Sequence, residues 1–324
     1  MFIRFQDYCE RLKPTLEDAL REQLSIFLGN TATGDLASLR ETLEGGKKIR
    51  GCLLCMISDT LGGAFESAIP RAVALELIHT ATLIHDDFVD QDTVRRNRPA
   101  TWTLEGARRA VLLGDVIFAS AIKMMSDLSR EDGRVVSHAI AQISLGAFHE
   151  PLNPLMLITE IESNKLDGKL YEKIIHLKTG ILFGAACQLG AIAAKANDKL
   201  MKKLLRFGLR IGEAYQIADD LKEVKQRLLT LSIHSDQMAV LAPTLLYFVN
   251  EMRPHIIPIL KGKYVNLNGR VLEYFRVAGK LMETEIERRL RSAVSEIEED
   301  FPNNEFSELT RRAPWDLIRM FDES

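Results

Sequence analysis

The sequence predicts an all-α fold. Apolar residues recur at three- and four-residue intervals through 69–89, 106–128, 180–194 and 204–221, the spacing that lines one helical face. Alternating β-branched runs bounded by turns are scarce, and no regular strand–helix alternation is present. Several of the helical stretches are apolar round most of their circumference, which places them inside a large bundle.

Breakers punctuate these helices at 29–34, 45–46, 97–99, 150–154 and 254–258, without a low-complexity linker or a fixed-period repeat. The expectation is one all-helical domain over residues 1–324. The chain is 46% hydrophobic, enough to bury one large core. Its net charge of −3 gives no basic field for nucleic acid. No apolar run approaches the roughly 20 residues of a spanning helix, so no transmembrane segment is expected. The first residues lack an apolar core with a small-residue cleavage site. Cys52 and Cys55 have metal-ligand spacing but no second pair, so they and Cys9 and Cys187 read as buried thiols, in keeping with a reducing cytoplasm.

The sharpest feature is Asp86-Asp87-Phe88-Val89-Asp90 at the end of an apolar run. Positions i and i+4 share a helical face, so Asp86 and Asp90 point together, with Asp87 turned by about 100°. Two aligned carboxylates on a buried helix repel each other unless a cation compensates them. Magnesium suits them, because it takes one or two carboxylates and completes its octahedron with water and phosphate oxygens. Asp219-Asp220-Leu221-Lys222-Glu223 repeats the spacing at the end of a second apolar stretch, 208–218. Two such clusters suggest facing walls of one metal-diphosphate site.

Cations accompany them. Gly45-Gly46-Lys47-Lys48-Ile49-Arg50 sets Lys47 and Arg50 on one face at i, i+3. Arg95-Arg96-Asn97-Arg98-Pro99 reads as a basic loop, and Lys178-Thr179-Gly180 as the opening of an apolar helix whose free N–H groups favour anions. Acids to hold metal and bases to hold phosphate are what ionisation of a diphosphate demands.

These motifs together resemble the trans-isoprenyl diphosphate synthases, or polyprenyl synthetases, from about Leu43 to Val224. The glycine-lysine element resembles the family's GGKR-x-R. Residues 76–90 resemble its ELIHTATLLHDD-x-x-D helix. Residues 95–99 resemble RRGRP with Asn97 for Gly, and Leu113-Gly114-Asp115 resembles AGD. Residues 212–220 resemble G-x-AFQI-x-DD with Tyr215 for Phe. The resemblance implies an isoprenoid-synthase bundle around a deep central cavity, usually a homodimer, that joins isopentenyl diphosphate to an allylic diphosphate. Carried across, Asp86 and Asp90 bind magnesium with Asp87 assisting, and Asp219 and Asp220 complete the metal cluster, three ions with substrate bound. Arg95, Lys178, Thr179 and Gln216 hold the allylic diphosphate; Lys47, Arg50, His79 and Arg96 hold isopentenyl diphosphate. The family's tail runs along the helix before Asp86, and small Ala81 and Thr82 there imply a product of twenty carbons or more. Ile78, then Leu75, are the candidate floor.

Two departures stand out. Glu223 replaces the last aspartate of the second motif, and the family's downstream lysine loop is missing from 224–246, where only Pro243-Thr244-Leu245 echoes TLP. Each lost cation contact is worth about 2–4 kcal/mol of transition-state stabilisation. The loss keeps open a partner-dependent subunit of a heteromeric synthase. A class I terpene cyclase is a further alternative, disfavoured by Lys47, Arg50 and Arg96.

Overall fold

The computed structural model describes residues 4–28, 46–150, 154–163, 168–262 and 264–322. Its helices are α1 (Phe5–Leu28), α2 (Ile49–Thr60), α3 (Phe65–Val89), α4 (Thr101–Glu105), α5 (Ala107–Leu128), α6 (Arg130–His149) and α7 (Pro154–Glu162). They continue with α8 (Gly168–Ile175), α9 (Ile181–Ala193), α10 (Asp198–Thr230), α11 (Ser235–Phe248), α12 (Arg253–Lys261), α13 (Gly269–Ile297) and α14 (Glu305–Asp322). The described strands are two short antiparallel pairs, β1 (Val94–Arg95) with β2 (Arg98–Pro99) and β3 (Ser232–His234) with β4 (Tyr264–Asn266). The fold is all-α, as the periodicity requires. Breakers 29–34 and Gly45 lie outside the described residues.

Two apolar clusters fill the molecule. The first joins α1, α2, α3, α5, α6, α9, the early turns of α10, the end of α13 and α14. The second joins α7, α8, the later turns of α10, α11, α12 and α13. Helix α10 belongs to both, giving Leu204, Phe207 and Ile211 to one and Ile217, Leu221 and Val224 to the other. Each such side chain contributes about 1.5–3 kcal/mol by leaving water. Helix α2 is buried throughout its middle, and all four cysteines are buried free thiols.

Close approach of α9 and α10 depends on glycine. A Cβ at Gly208 would lie 2.3 Å from the Phe183 carbonyl oxygen and 2.8 Å from Gly184 Cα. Helix α3 is tied to the start of α6 by Arg71, whose Nε and Nη2 reach the two Asp132 oxygens at 2.8 and 2.7 Å. The Ser129 hydroxyl caps α6 by accepting the Asp132 amide at 3.0 Å.

The structure corrects several local readings. The basic loop is a hairpin: Val94 pairs with Pro99 and Arg95 with Arg98, and Arg96 and Asn97 turn at φ 52° and 61°. Two consecutive left-handed residues match the twist of a tight hairpin, and asparagine tolerates that region better than most residues. The second acidic cluster does not close its helix, because α10 runs on to Thr230 through Val224, which is buried in the second cluster. Pro254 and Pro258 fall within α12, Pro254 in its first turn, where no intrahelical N–H bond is lost. Lys47 precedes α2, which begins at Ile49, so it shares no helical face with Arg50.

Lys178-Thr179-Gly180 does not open a helix either. A π turn, His176–Gly180, joins α8 to α9 without a break. The joined helix, Lys169–Ala193, is long and apolar enough by composition to cross a membrane, contrary to the expectation that no stretch qualifies. Most of its apolar window is buried in the protein, so the core accounts for its composition.

Candidate functional site

A hollow of about 620 Å³ opens beside the second cluster, with Tyr171 and Ala239 in its lining. The end of α3 forms one wall, α10 and α11 the other, with the end of α6, α8 and the π turn between. Asp90, Asp92, Glu150, Asp219, Asp220 and Asp236 line it, and Lys178 is the one cation among its described lining residues. Both acidic motifs therefore reach the same hollow.

The geometry of each follows from its helix. Asp90 ends α3, its amide donating to the Asp86 carbonyl at 2.8 Å. Burial pushes the Asp86 carboxyl up to about 6, and nearby Asp90 and Glu150 add to this while Lys178 opposes it. Asp90 and Asp219 are raised too, first by burial, with Lys178 as the main opposing charge. Lys178 thus stands between the motifs. Its Nζ donates to Glu150 at 2.7 Å. Burial alone would lower this ammonium, but Glu150, Asp86 and Asp90 hold it above its ordinary value.

Asp220 is fixed rather than free. It accepts the Tyr171 hydroxyl at 2.6 Å, the Gln216 amide at 3.1 Å and the Thr244 hydroxyl at 3.2 Å. Gln216 in turn accepts the Thr179 hydroxyl at 2.6 Å. Burial nevertheless pushes Asp220 up to about 6. Asp87, by contrast, is buried against the hairpin and accepts from Arg95. It does not line the hollow, and Arg95 spends its guanidinium there.

No three His, Cys, Asp or Glu side chains among the described residues converge to hold a metal by themselves. The donor set still fits a hard divalent ion. Lys178 alone offsets only part of the charge of the six carboxylates that line the hollow, and magnesium would draw its remaining oxygens from water and a phosphate ligand.

A second cationic cluster lies where α2, α3 and the hairpin meet. Arg50 is buried, its guanidinium carbon 4.7 Å from the centre of the Phe183 ring, and its Nε has no hydrogen-bond partner among the described residues. Burial and the charges of Arg50, Arg96, Lys48 and Arg95 push His79 well below its ordinary value. Burial also lowers Arg50, Arg96 and Lys48, Arg96 further through Arg95 and Lys48 through Arg96. Cations crowded round a neutral imidazole suit an anion. Gly46, at φ 83°, leaves the space that the Arg96 guanidinium fills, since a Cβ there would lie 2.6 Å from Nη2.

Of the expected site residues, Asp90, Lys178, Gln216, Asp219 and Asp220 line the hollow, with Asp86 and Thr179 in contact with its network. Arg50, His79 and Arg96 gather at the second cluster. Lys47 donates instead to the Met320 carbonyl on α14. Ile78 and Ala81 are fully buried, Thr82 donates to the His79 carbonyl at 2.7 Å, and none of the three lines the hollow. Sequence reasoning missed Glu150, Tyr171, Asp236 and the buried Lys48. Glu150 and Tyr171 stand outside any recognisable spacing, and Lys48, buried at the N-cap of α2 with a left-handed φ of 51°, reads in the sequence as a loop cation.

The chain is similar in sequence and in fold to known proteins. The polyprenyl synthetase family model matches residues 36–231, more than half of the chain. A geranylfarnesyl diphosphate synthase from Aeropyrum pernix is 38% identical over 197 residues, 57% of this chain. A geranylgeranyl diphosphate synthase from Mycobacterium tuberculosis is 34% identical over 212 residues, 63% of this chain. The chain matches 59% and 58% of the lengths of those relatives. In fold, the chain is similar to a polyprenyl synthase from Caulobacter crescentus, with a TM-score of 0.68, 22% identity and 97% of each chain covered. The family match spans both acidic motifs and both basic clusters, and the chain belongs to the polyprenyl synthetase family.

Proposed function

We propose that this chain is a trans-prenyltransferase that joins isopentenyl diphosphate head to tail with an allylic diphosphate, giving a polyprenyl diphosphate of twenty carbons or more. The observation that carries this reading is the single hollow shared by Asp90 and Asp219 with Lys178 between them. Asp86, Asp90 and Asp219 would hold magnesium, which when bound neutralises the leaving diphosphate. Lys178 and Gln216 face that diphosphate, with Thr179 and Asp220 holding Gln216 in place. Arg50, His79 and Arg96 receive isopentenyl diphosphate, Lys47 standing at the edge. Asp87 acts through Arg95 and holds the hairpin in register. The apolar clusters exclude water from the reacting carbon. The Caulobacter crescentus structure is described as complexed with calcium and isoprenyl diphosphate, which supports a divalent ion beside the diphosphate.

Relatives named for geranylgeranyl and geranylfarnesyl diphosphate support the product length. Ala81→Phe is expected to shorten the product on chromatography; an unchanged product would place the floor away from Ala81, Thr82 and Ile78. The sharing of α10 between both clusters supports one domain, and the buried free thiols support a cytoplasmic location. Exposed Leu112 and Val116 on α5 and Leu145 and Phe148 on α6 support a homodimer, which sedimentation would measure.

Pure protein with magnesium, labelled isopentenyl diphosphate and an allylic primer is expected to yield a longer labelled diphosphate. One observation favours a second reading, a subunit that needs a partner. Helix α11 faces the hollow with Asp236, Ala239, Val240, Pro243 and Thr244, and so offers the diphosphate no cation. No turnover alone, with turnover on adding a partner synthase subunit, would select it.

A further inference from the structure

A π turn widens a helix by one residue and is less favourable than the α-helix around it, so outside contacts must hold it. In His176–Gly180 the turn aims Lys178 into the hollow and sets the Thr179 hydroxyl on Gln216. Two further contacts with α10 hold it. Gly180 lies so close that a Cβ on Gly212 would be 2.8 Å from its Cα. The next α10 residue, Glu213, receives His176 Nδ1 on Oε1 at 2.9 Å.

Glu213 is itself immobilised. Its side chain is 7% exposed. Its other oxygen accepts from Arg210 at 3.2 Å and from Arg289 of α13. Arg289 is in turn held by Glu285 at 2.7 Å. A carboxylate gripped from two helices makes a rigid post for the imidazole.

We propose that Glu213 and His176 are positioning residues for the allylic-diphosphate half of the site. Glu213 fixes the π turn through His176, and so sets Lys178 and Thr179 against Gln216 and Asp219 on α10. This rests on the function proposed above. The isopentenyl half is built on α2, α3 and the hairpin, on other elements.

The test is His176→Ala and His176→Asn in the full chain. The asparagine amide nitrogen occupies the place of Nδ1 and restores the bond to Glu213. Because displacement of about 1 Å costs on the order of 10²-fold in rate, His176→Ala is expected to raise the KM for the allylic diphosphate at least tenfold. The KM for isopentenyl diphosphate should stay within twofold, and His176→Asn should return the allylic KM to within threefold of wild type. The imidazole is 41% exposed, so both variants should fold, with a loss in melting temperature smaller than that of Asp132→Ala. An unchanged allylic KM, a parallel rise in both KM values, or no rescue by asparagine would overturn the assignment. If wild type itself does not turn over, the proposed function fails instead. Calorimetric titration with magnesium and inorganic pyrophosphate then decides: weaker binding in alanine with recovery in asparagine supports the positioning role, and equal binding in all three overturns it.

Discussion

Replacing Lys178 by methionine keeps all but the last atom of the side chain's length and removes the one cation among the described lining residues of a hollow that six carboxylates share. Two effects of opposite sign follow. A diphosphate loses a charged donor in a confined site, worth about 2.7–4 kcal/mol, or 10²–10³-fold in kcat/KM. Glu150 loses its partner at 2.7 Å, and the hollow gains one net negative charge. A divalent ion about 6 Å from an ammonium, at an effective dielectric of ~40–80, is repelled by about 1–3 kcal/mol. Removing that repulsion should lower the magnesium concentration for half-maximal rate by roughly tenfold. The assay is incorporation of labelled isopentenyl diphosphate across a magnesium series, for wild type and Lys178→Met. A general folding defect would lower the rate without improving metal affinity. A magnesium midpoint that stays or rises, with less than a tenfold loss in kcat/KM, would refute the reasoning.

Other perturbations test the frame. Asp132→Ala leaves Arg71 buried without its bidentate partner and should cost about 3–5 kcal/mol, read as a melting temperature lower by roughly 5–15 °C; a fall under 2 °C would contradict the burial argument. Gly208→Ala drives a Cβ into the Phe183 carbonyl, and urea unfolding should show a loss of about 1–3 kcal/mol or more. Burial alone would raise Glu213, but the His176 bond and the charges of Arg289 and Arg210 hold it below 4.5. A depressed carboxyl stabilises the fold above its unfolded value, and this contribution is lost as pH falls through the folded value. The melting-temperature gap between wild type and Glu213→Gln should therefore be full above pH ~5 and shrink below pH ~4; a gap constant to pH ~3 would exclude the linkage.

Much of this was legible in the chain because helical periodicity and the i, i+4 carboxylate spacing are local signals. Asp86 with Asp90, and Asp219 near them, needed only the geometry of two helices. What stayed hidden was tertiary. Asp87 and Asp220 have the same spacing as their neighbours, yet one is turned onto Arg95 and the other is held by Tyr171 and Thr244, contacts that depend on distant segments. The π turn left no trace either, since its residues read as the start of a helix and the contacts that hold the widened turn, Gly180 on Gly212 and His176 on Glu213, lie on the distant α10. The buried apolar helix defeated the composition test for the same reason: membrane and core make similar demands on a side chain.

The hairpin carries a consequence of its own. Arg95 bonds Asp87, beneath the acidic hollow, while Arg96 fills the space at Gly46, beside the cationic cluster. Neighbouring side chains of one tight turn thereby take different partners. An extra residue between Val94 and Arg95 would push both arginines one place along the turn and off these partners, so this corner admits changes of side chain far more readily than changes of length.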